Sequence, residues 1–314
     1  MQKLSIITPV FNEENTLAIF FEHLSGFQQQ ITNYRIEWII VDDGSRDATP
    51  EIIQKLTEEN DFICSVIFSR NFGKESALFA GLEHSSGDIV IPMDIDLQDP
   101  FEVIFPMIEK YEQGADVVLA KRSSRGNDSF FKRFSAEWFY RLNNKVSSIQ
   151  LEENVGDFRL MTRQVVDEIV KLEENQLFMK GLMSWVGFKT AIVTYERPNR
   201  TEGKTKFNYR KLWNLAVQGI TSFSTVPLKF WTYFGSFIAL ISFLYGIKII
   251  IEKVFFGINA SGYASLMVAI LFFGGVQLIG IGVLGEYLGR TYLESKRRPK
   301  YIVQKVLKKN NLSE

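Results

Sequence analysis

Two long apolar segments near the C-terminus constrain the fold of this chain more than any other feature. Residues 230–251 and 263–285 consist mainly of aliphatic, aromatic and glycine residues, and the second segment contains no charged residue. A helix of roughly 20 apolar residues crosses the ~30 Å hydrocarbon core of a bilayer. The alternative is a pair of buried helices in a soluble protein, and the length and closeness of the segments disfavour it. The sequence therefore predicts a transmembrane hairpin.

Basic residues flank this hairpin on one side. Lys229 precedes the first segment and three basic residues, Lys296 to Arg298, follow the second, whereas the loop at 257–262 carries little charge. Because Lys and Arg mark the cytoplasmic side of a span, we expect both termini and the preceding domain in the cytoplasm. Residues 1–10 lack the long apolar region of a signal peptide, so the hairpin is the expected membrane segment.

The N-terminal part of the chain, up to about residue 194, alternates short β-rich runs with helical periodicity. Such alternation predicts an α/β domain with a mainly parallel sheet covered on both faces. Ligands bind to such sheets beyond the carboxyl ends of the strands. The predicted strands are 4–10, 36–42, 65–69 and 88–94, and the predicted helices are 15–29, 49–59 and 75–85.

The overall charge and the cysteine content exclude some classes of function. The chain has 36 Lys and Arg against 36 Asp and Glu, so its bulk charge does not predict a nucleic-acid binder. The single cysteine, Cys64, forms neither an internal disulfide nor a cysteine metal cluster, and we expect it to be a buried thiol.

Carboxylates follow two of the predicted strands. Asp94 and Asp96 follow the strand at 88–94, and alternate side chains of an extended segment point to one face. A hard divalent cation with a pyrophosphate would fit such a pair, although a solvated turn is the simpler interpretation. Asp42 is followed by Gly44 and Ser45. Its carboxylate could accept hydrogen bonds from a base or ribose, or the three residues could simply form a turn.

Basic residues at two places could bind an anionic group. Arg122 and Arg125 follow a predicted strand at 116–120, where they would clamp an anion bidentately or form a solvated loop. Arg200, Lys204 and Lys206 precede an amphipathic stretch, which predicts an interfacial segment on anionic lipid. The sequence does not separate capture of an anionic ligand from attraction to the membrane.

Five motifs in order carry a resemblance to a known family. They are ITPVFNE at 7–13, VDDGS at 41–45, SRNFGKE at 69–75, MDIDLQDP at 93–100 and GDFRL at 156–160. In these motifs the chain resembles the polyprenyl-phosphate glycosyltransferases of glycosyltransferase family 2, which have a GT-A fold. The C-terminal part, with SFS at 222–224 and GEYLGR at 285–290, resembles the bactoprenol glucosyltransferase branch. Dolichol-phosphate mannose synthase shares the catalytic motifs.

The resemblance implies an inverting transfer of glucose from UDP-glucose to undecaprenyl phosphate, with Mg²⁺ or Mn²⁺, at the cytoplasmic face of a bacterial inner membrane. By the same resemblance, Asp96 and Gln98 hold the metal, and Asp157 is a base or an orienting group. Ile95 stands where the family often has Ala. The nucleotide-sugar site would comprise Pro9, Val10, Glu13, Asp42 and Asp94, and the acceptor phosphate would meet Arg122, Arg125, Arg200, Lys204 and Lys206.

The expected organisation is a catalytic domain at 1–200, an interfacial segment at 201–229, two transmembrane helices at 230–290 and a basic tail at 291–314. Glycines in the second span would permit close helix contact within one chain or in a homo-oligomer. Three alternatives stay open. They are another donor such as GDP-mannose, UDP-GlcNAc or a UDP-aminoarabinose type, a processive polysaccharide synthase, and a non-catalytic nucleotide-sugar-binding scaffold.

Overall fold

Runs rich in β-branched residues form the strands of one eight-stranded mixed sheet. The computed structural model describes residues 1–123, 152, 154–175, 177–196, 225–256 and 262–309. The sheet order is β7-β5-β6-β4-β1-β2-β3-β8, with β4, β1, β2 and β3 mutually parallel. The strands are β1 (Gln2–Val10), β2 (Tyr34–Asp42), β3 (Ile63–Phe68), β4 (Ile89–Pro92), β5 (Val117–Arg122), β6 (Val155–Thr162), β7 (Thr190–Tyr195) and β8 (Val303–Lys308).

Helices connect these strands, and the shorter ones cover the sheet. Within the described ranges they are α1 (Leu17–Gln30), α2 (Thr49–Glu59), α3 (Lys74–His84), α4 (Ile104–Glu112), α5 (Arg163–Val170), α6 (Met179–Trp185), α7 (Val226–Phe256) and α8 (Tyr263–Ser295). In α1 the residues Leu17, Phe20, Leu24 and Phe27 recur at helical spacing, and all four are buried. The bounds predicted for α2 match the structure, and those of the other predicted elements differ by one to two residues at most ends.

The sheet has an apolar core on both faces, which confirms the predicted α/β fold. On one face Leu4 and Ile6 of β1 join the cluster that contains α1. On the other face Ile7 packs with residues of α3. Trp38 of β2 is fully buried, and its ring stacks on Phe20 with centroids 5.3 Å apart. Strands buried on both sides leave only their ends for ligands.

The segment after β4 differs from the sequence prediction. Strand β4 ends at Pro92, and residues 95–96 form a turn rather than an extended segment. Leu97 has a φ of 54°, which breaks the strand geometry. Asp94 and Asp96 therefore do not alternate along a strand. Ile95, between them, is buried in the core.

The C-terminal segment also needs a correction, because residues 291–314 are not simply a basic tail. Val303–Lys308 forms β8, which pairs antiparallel with β3 and covers that edge of the sheet. The pairing begins at the carboxyl end of β3, where the Ser69 N–H donates to the Ile302 carbonyl at 3.0 Å. Tyr301 stacks on Phe68 with ring centroids 4.8 Å apart. The chain that follows α8 thus joins the sheet at the carboxyl end of β3.

We expect Leu307→Ala to destabilise the sheet domain by roughly 2–4 kcal/mol, because Leu307 is 1% exposed and its truncation leaves a cavity beneath β8. Thermal denaturation of the detergent-solubilised protein would measure the loss. Lys308→Ala is the matched control, since Lys308 is exposed on the same strand and should change stability by no more than about 0.5 kcal/mol. Equal stability of Leu307→Ala and the control would contradict the pairing.

Helices α7 and α8 expose most of their large apolar side chains. Val226–Glu252 and Ser265–Ser295 are long enough to cross a bilayer, and 18-residue stretches within them have mean hydropathies of 2.1 and 2.3. Gly280 lets the two helices approach, since a Cβ there would lie 3.3 Å from the Trp231 ring. Among the described residues, nothing lies within 4 Å of a Cβ added at Gly274, Gly275, Gly282 or Gly285.

Candidate active site

The carboxyl ends of β1 and β2 bring three of the predicted nucleotide-site residues together. Pro9 and Val10 pair in register with Val41 and Asp42. The Asp43 N–H donates to the Val10 carbonyl at 2.9 Å, which continues the pairing past the end of β2. Pro9, Val10 and Asp42 therefore lie close together at the carboxyl ends of β1 and β2.

Asp42 has one carboxylate oxygen that a ligand could use. Its Oδ1 accepts hydrogen bonds from the N–H and hydroxyl of Ser45. Its Oδ2 is buried and has no partner among the described residues. Burial raises the pKa of Asp42. Oδ2 is thus a ready acceptor for an N–H or O–H of a ligand.

Glu13 is held by contacts that begin α1. Its N–H donates to Thr49 Oγ1 at 2.9 Å, and its Oε2 accepts the Thr16 hydroxyl at 2.8 Å. Its carbonyl accepts the N–H groups of Thr16 and Leu17. These bonds give Glu13 a structural role at the helix start, beside the expected role at the nucleotide.

Asp43 ties the loop after β2 to the loop that precedes α3. Its carboxylate accepts the N–H groups of Phe72 at 2.6 Å and Gly73 at 2.9 Å. Burial raises the pKa of Asp43 despite these bonds. Gly73 has a φ of 99°, which turns the chain directly into α3. The start of α3 is therefore fixed next to the carboxyl end of β2.

Gly44 allows these two loops to touch. It has a φ of 73°, and a Cβ there would lie 2.5 Å from the Arg70 carbonyl carbon. We expect Gly44→Ala to cost at least about 2 kcal/mol of stability and to weaken donor binding, because both backbones would have to shift. Gly26→Ala, in α1 with nothing within 4 Å, is the control and should be neutral or stabilising. Wild-type melting and donor affinity in Gly44→Ala would contradict this arrangement.

Lys74, the first residue of α3, joins two of the predicted site carboxylates. Its Nζ lies 2.6 Å from Asp94 Oδ1 and 2.8 Å from Asp157 Oδ2. Burial lowers the pKa of Lys74, but Asp157 and Asp94 together raise it above its ordinary value, so the ammonium stays charged. Lys74 belongs to the motif SRNFGKE at 69–75, from which no role for this lysine was predicted. The feature of the sequence that could have indicated a role for Lys74 is its position directly after Gly73.

Asp157 lies on β6 and is largely buried. Burial acts to raise its pKa, but the cations Lys74, Lys180 and Arg159 outweigh burial and hold the pKa below its ordinary value. Its Oδ1 is buried without a partner among the described residues. Arg159, two residues along the strand, is itself fully buried and donates to the Gly156 carbonyl at 3.0 Å. Asp157 thus has one carboxylate oxygen paired with Lys74 and one that is buried without a partner among the described residues.

Asp96 and Gln98 are the predicted metal ligands. Asp96 is exposed, and its Oδ1 accepts the Gln98 N–H at 3.2 Å. The described residues contain no cluster of three or more His, Cys, Asp or Glu that would enclose a metal. Mg²⁺ often binds one or two protein oxygens and completes its shell with water and substrate phosphates. An exposed carboxylate at the strand exit fits a metal bound in that way.

Arg122, a predicted contact of the acceptor phosphate, forms part of an internal network at the end of β5. Its Nε donates to the Tyr195 hydroxyl at 3.3 Å, and its Nη2 lies 3.9 Å from Asp99 Oδ1. The Tyr195 hydroxyl donates to the same Asp99 oxygen. Burial lowers the pKa of Arg122, but its contacts with Tyr195 and Asp99 raise it overall. The structure therefore gives Arg122 a positioned charge near the site.

The other predicted acceptor contacts, Arg125, Arg200, Lys204 and Lys206, lie outside the described residues, as does nearly all of the interfacial segment 201–229. A cavity of about 220 Å³ lies at the opposite edge of the sheet, between the amino ends of the strands. Lys3, Glu37 and Lys308 are among its lining residues. It is remote from Asp94 and Asp157, so the carboxyl edge is the better candidate site.

These features define a GT-A-type α/β domain that carries a carboxylate-rich ligand edge and an apolar helical hairpin. The glycosyl transferase family 2 profile matches residues 5–170, and the GtrB C-terminal hairpin profile matches residues 226–291. The chain therefore belongs to glycosyltransferase family 2 and is an enzyme that transfers a sugar.

Relatives of known name resemble the whole chain. A bactoprenol glucosyl transferase of Shigella phage SfV is 58% identical over 96% of this chain and 98% of its own length. A prophage bactoprenol glucosyl transferase homolog of Escherichia coli K12 is 55% identical over 98% of this chain and 100% of its own. Among solved structures, a mannosyl-3-phosphoglycerate synthase from Rubrobacter xylanophilus aligns with a TM-score of 0.46 at 14% identity, over 70% of this chain and 73% of that one.

Proposed function

We propose that this enzyme transfers glucose from UDP-glucose to undecaprenyl phosphate at the cytoplasmic face of a bacterial inner membrane. The names of the relatives that are 55% and 58% identical support a glucosyl donor and a bactoprenol acceptor. The observation that carries the proposal is that the site carboxylates and the end of the apolar hairpin meet the sheet at the same edge.

Contacts at the end of α8 support this placement. Glu294, near the end of the second apolar span, accepts the Asn175 N–H at 2.9 Å. Lys300 donates to the Leu172 carbonyl, and its Nζ lies 3.6 Å from the centroid of the Phe79 ring in α3. The first residue of α3 is Lys74. The segment that follows α8 therefore contacts α3, the helix that begins in the site. In our proposal this contact places the membrane-facing end of the hairpin close to the site, so that a lipid headgroup can reach it.

The proposed reaction is a direct displacement at the anomeric carbon, with inversion. An acceptor phosphate oxygen forms the new bond to that carbon, and the nucleoside diphosphate leaves with the electrons of the old bond. A phosphate with a second pKa near ~6 is mostly ionised at neutral pH, so little proton removal is needed. Mg²⁺ or Mn²⁺ held by Asp96 and Gln98 would supply stabilisation of the charge on the leaving diphosphate.

The remaining site residues have proposed tasks that follow from their contacts. Asp42 offers its buried Oδ2 to the nucleotide, at the edge shared with Pro9 and Val10. Arg122, Arg125 and the basic residues Arg200, Lys204 and Lys206 would attract the acceptor phosphate. In this proposal α7 and α8 span the membrane and both termini are cytoplasmic. Contact between the α8 glycines of two copies would give a homo-oligomer.

The test is transfer by the purified full chain with Mg²⁺, undecaprenyl phosphate and a panel of nucleotide sugars. We expect one glucose per lipid from UDP-glucose and no lipid product from GDP-mannose, UDP-GlcNAc or a UDP-aminoarabinose donor. A lipid product from another donor would overturn the sugar assignment. Several sugars per lipid would favour a processive synthase, and absence of any transfer would favour a non-catalytic scaffold.

A further inference from the structure

Lys74 is placed more firmly than a surface lysine. It is the first residue of α3, and the two preceding N–H groups, of Phe72 and Gly73, are bound by the Asp43 carboxylate. Its Nζ contacts Asp94, which follows β4, and Asp157, which lies on β6. One ammonium therefore joins Asp94, an expected nucleotide-sugar contact, to Asp157, a largely buried carboxylate of the site.

Asp157 has a geometry that suits an acceptor of hydrogen bonds. Its Oδ2 is held by Lys74 at 2.8 Å, and its buried Oδ1 has no partner among the described residues. A buried, unpaired carboxylate oxygen is costly unless a ligand supplies a donor. The proposed acceptor phosphate is mostly ionised at neutral pH, so little proton removal is needed. The proposed donor offers N–H and O–H groups on the nucleotide, which we assign to Asp42, and hydroxyls on the transferred sugar, which we assign to Asp157.

We propose that Lys74 is a positioning residue, which fixes Asp157 so that its free Oδ1 accepts a hydrogen bond from one hydroxyl of the transferred sugar. This inference rests on the proposed function and deepens it. Asp157 then orients the sugar and is not a general base. Lys74 sets the distance between that contact and Asp94, and hence the orientation of the sugar relative to the diphosphate to which it is bonded.

The test combines Lys74 and Asp157 variants with UDP-glucose analogues that each lack one hydroxyl, in the full-chain transfer assay. With wild-type enzyme we expect one deoxy donor to lose roughly 10- to 100-fold in kcat/KM, since it leaves Oδ1 unpaired. With Asp157→Ala and Lys74→Met the same analogue should lose no more than about 3-fold relative to UDP-glucose. Lys74→Arg should restore most of the discrimination, because it restores the cation. Lys180→Met, which removes a nearby cation without direct contact, is the matched control and should keep it.

The outcomes separate the inference from the proposed function. Absence of sugar transfer by the wild-type chain would overturn the proposed function itself. Wild-type transfer together with equal discrimination in Lys74→Met would overturn the inference alone. Equal losses for every deoxy donor in all variants would also overturn it. Thermal denaturation shows whether each variant remains folded. A lost donor affinity in a folded Lys74→Met variant, with retained affinity in Lys74→Arg, would also support positioning by the cation.

Discussion

Asp96→Ala is expected to lower sugar transfer at saturating donor by about a thousandfold. In our account Asp96 holds the divalent cation that stabilises the leaving diphosphate, and loss of about 4 kcal/mol of that stabilisation corresponds to three orders of magnitude in rate. The fold should survive, because Asp96 is exposed and the one hydrogen bond that the structure shows for it is to the Gln98 N–H. Turnover of UDP-glucose with and without Mg²⁺ measures the effect.

Chelation of the metal should reproduce the Asp96→Ala rate in the wild-type enzyme and change the variant little further. Asp167→Ala is the matched control, since Asp167 is an exposed aspartate on α5 that contacts Arg163 outside the site. It should retain wild-type transfer. If Asp96→Ala kept the wild-type rate and its Mg²⁺ dependence, the assignment of the metal to this residue would be wrong.

Asp99→Ala is expected to produce the largest loss of stability among the site variants, roughly 3 kcal/mol. Asp99 is 3% exposed, accepts a hydrogen bond from the Tyr195 hydroxyl and lies 3.9 Å from the Arg122 guanidinium. Its removal would leave a buried hydroxyl and a half-buried cation without this partner. For a domain of this size we expect the apparent melting temperature to fall by about 6–12 °C.

Tyr195→Phe is the graded control for this network. It removes the hydroxyl but keeps the ring, which contacts Phe158 with centroids 6.0 Å apart. We expect a loss of about 1 kcal/mol, because Asp99 keeps Arg122 as a partner. The measurement is thermal denaturation in one detergent for all variants. A melting temperature of Asp99→Ala equal to that of Tyr195→Phe would show that the charge contact with Arg122 contributes little.

The local pattern of the sequence was enough to predict most of the sheet domain. Apolar residues recur at helical spacing in α1 and α2, and they form continuous runs in β1 and β2. Because these patterns arise from burial, they predicted the positions of the four elements and a parallel sheet covered on both faces. The two long apolar helices also followed, because each contains a run of roughly 20 mainly apolar residues, which is the length of a membrane-spanning helix. The convergence of Pro9, Val10 and Asp42 at one edge is a consequence of parallel pairing.

The features that were missed depend on contacts between distant parts of the chain. Strand β8 pairs with β3, which lies more than 200 residues earlier in the chain. Three of the six residues of β8 are Lys or Gln, a composition that is also typical of a solvent-exposed tail. The bridge from Lys74 to Asp94 and Asp157 arises only when α3, β4 and β6 are packed. The turn at 95–96 replaced the expected extension because β4 ends at Pro92 and Leu97 adopts a positive φ.

The most direct measurement of the central claim is the position of Mn²⁺ by anomalous scattering in crystals of the full chain with UDP-glucose. Our account predicts one peak at roughly 2.0–2.3 Å from a carboxylate oxygen of Asp96, with the donor diphosphate beside it and the glucose next to Asp157. A donor bound at the amino edge of the sheet, near Lys3 and Lys308, or a Mn²⁺ peak away from Asp96, would contradict it.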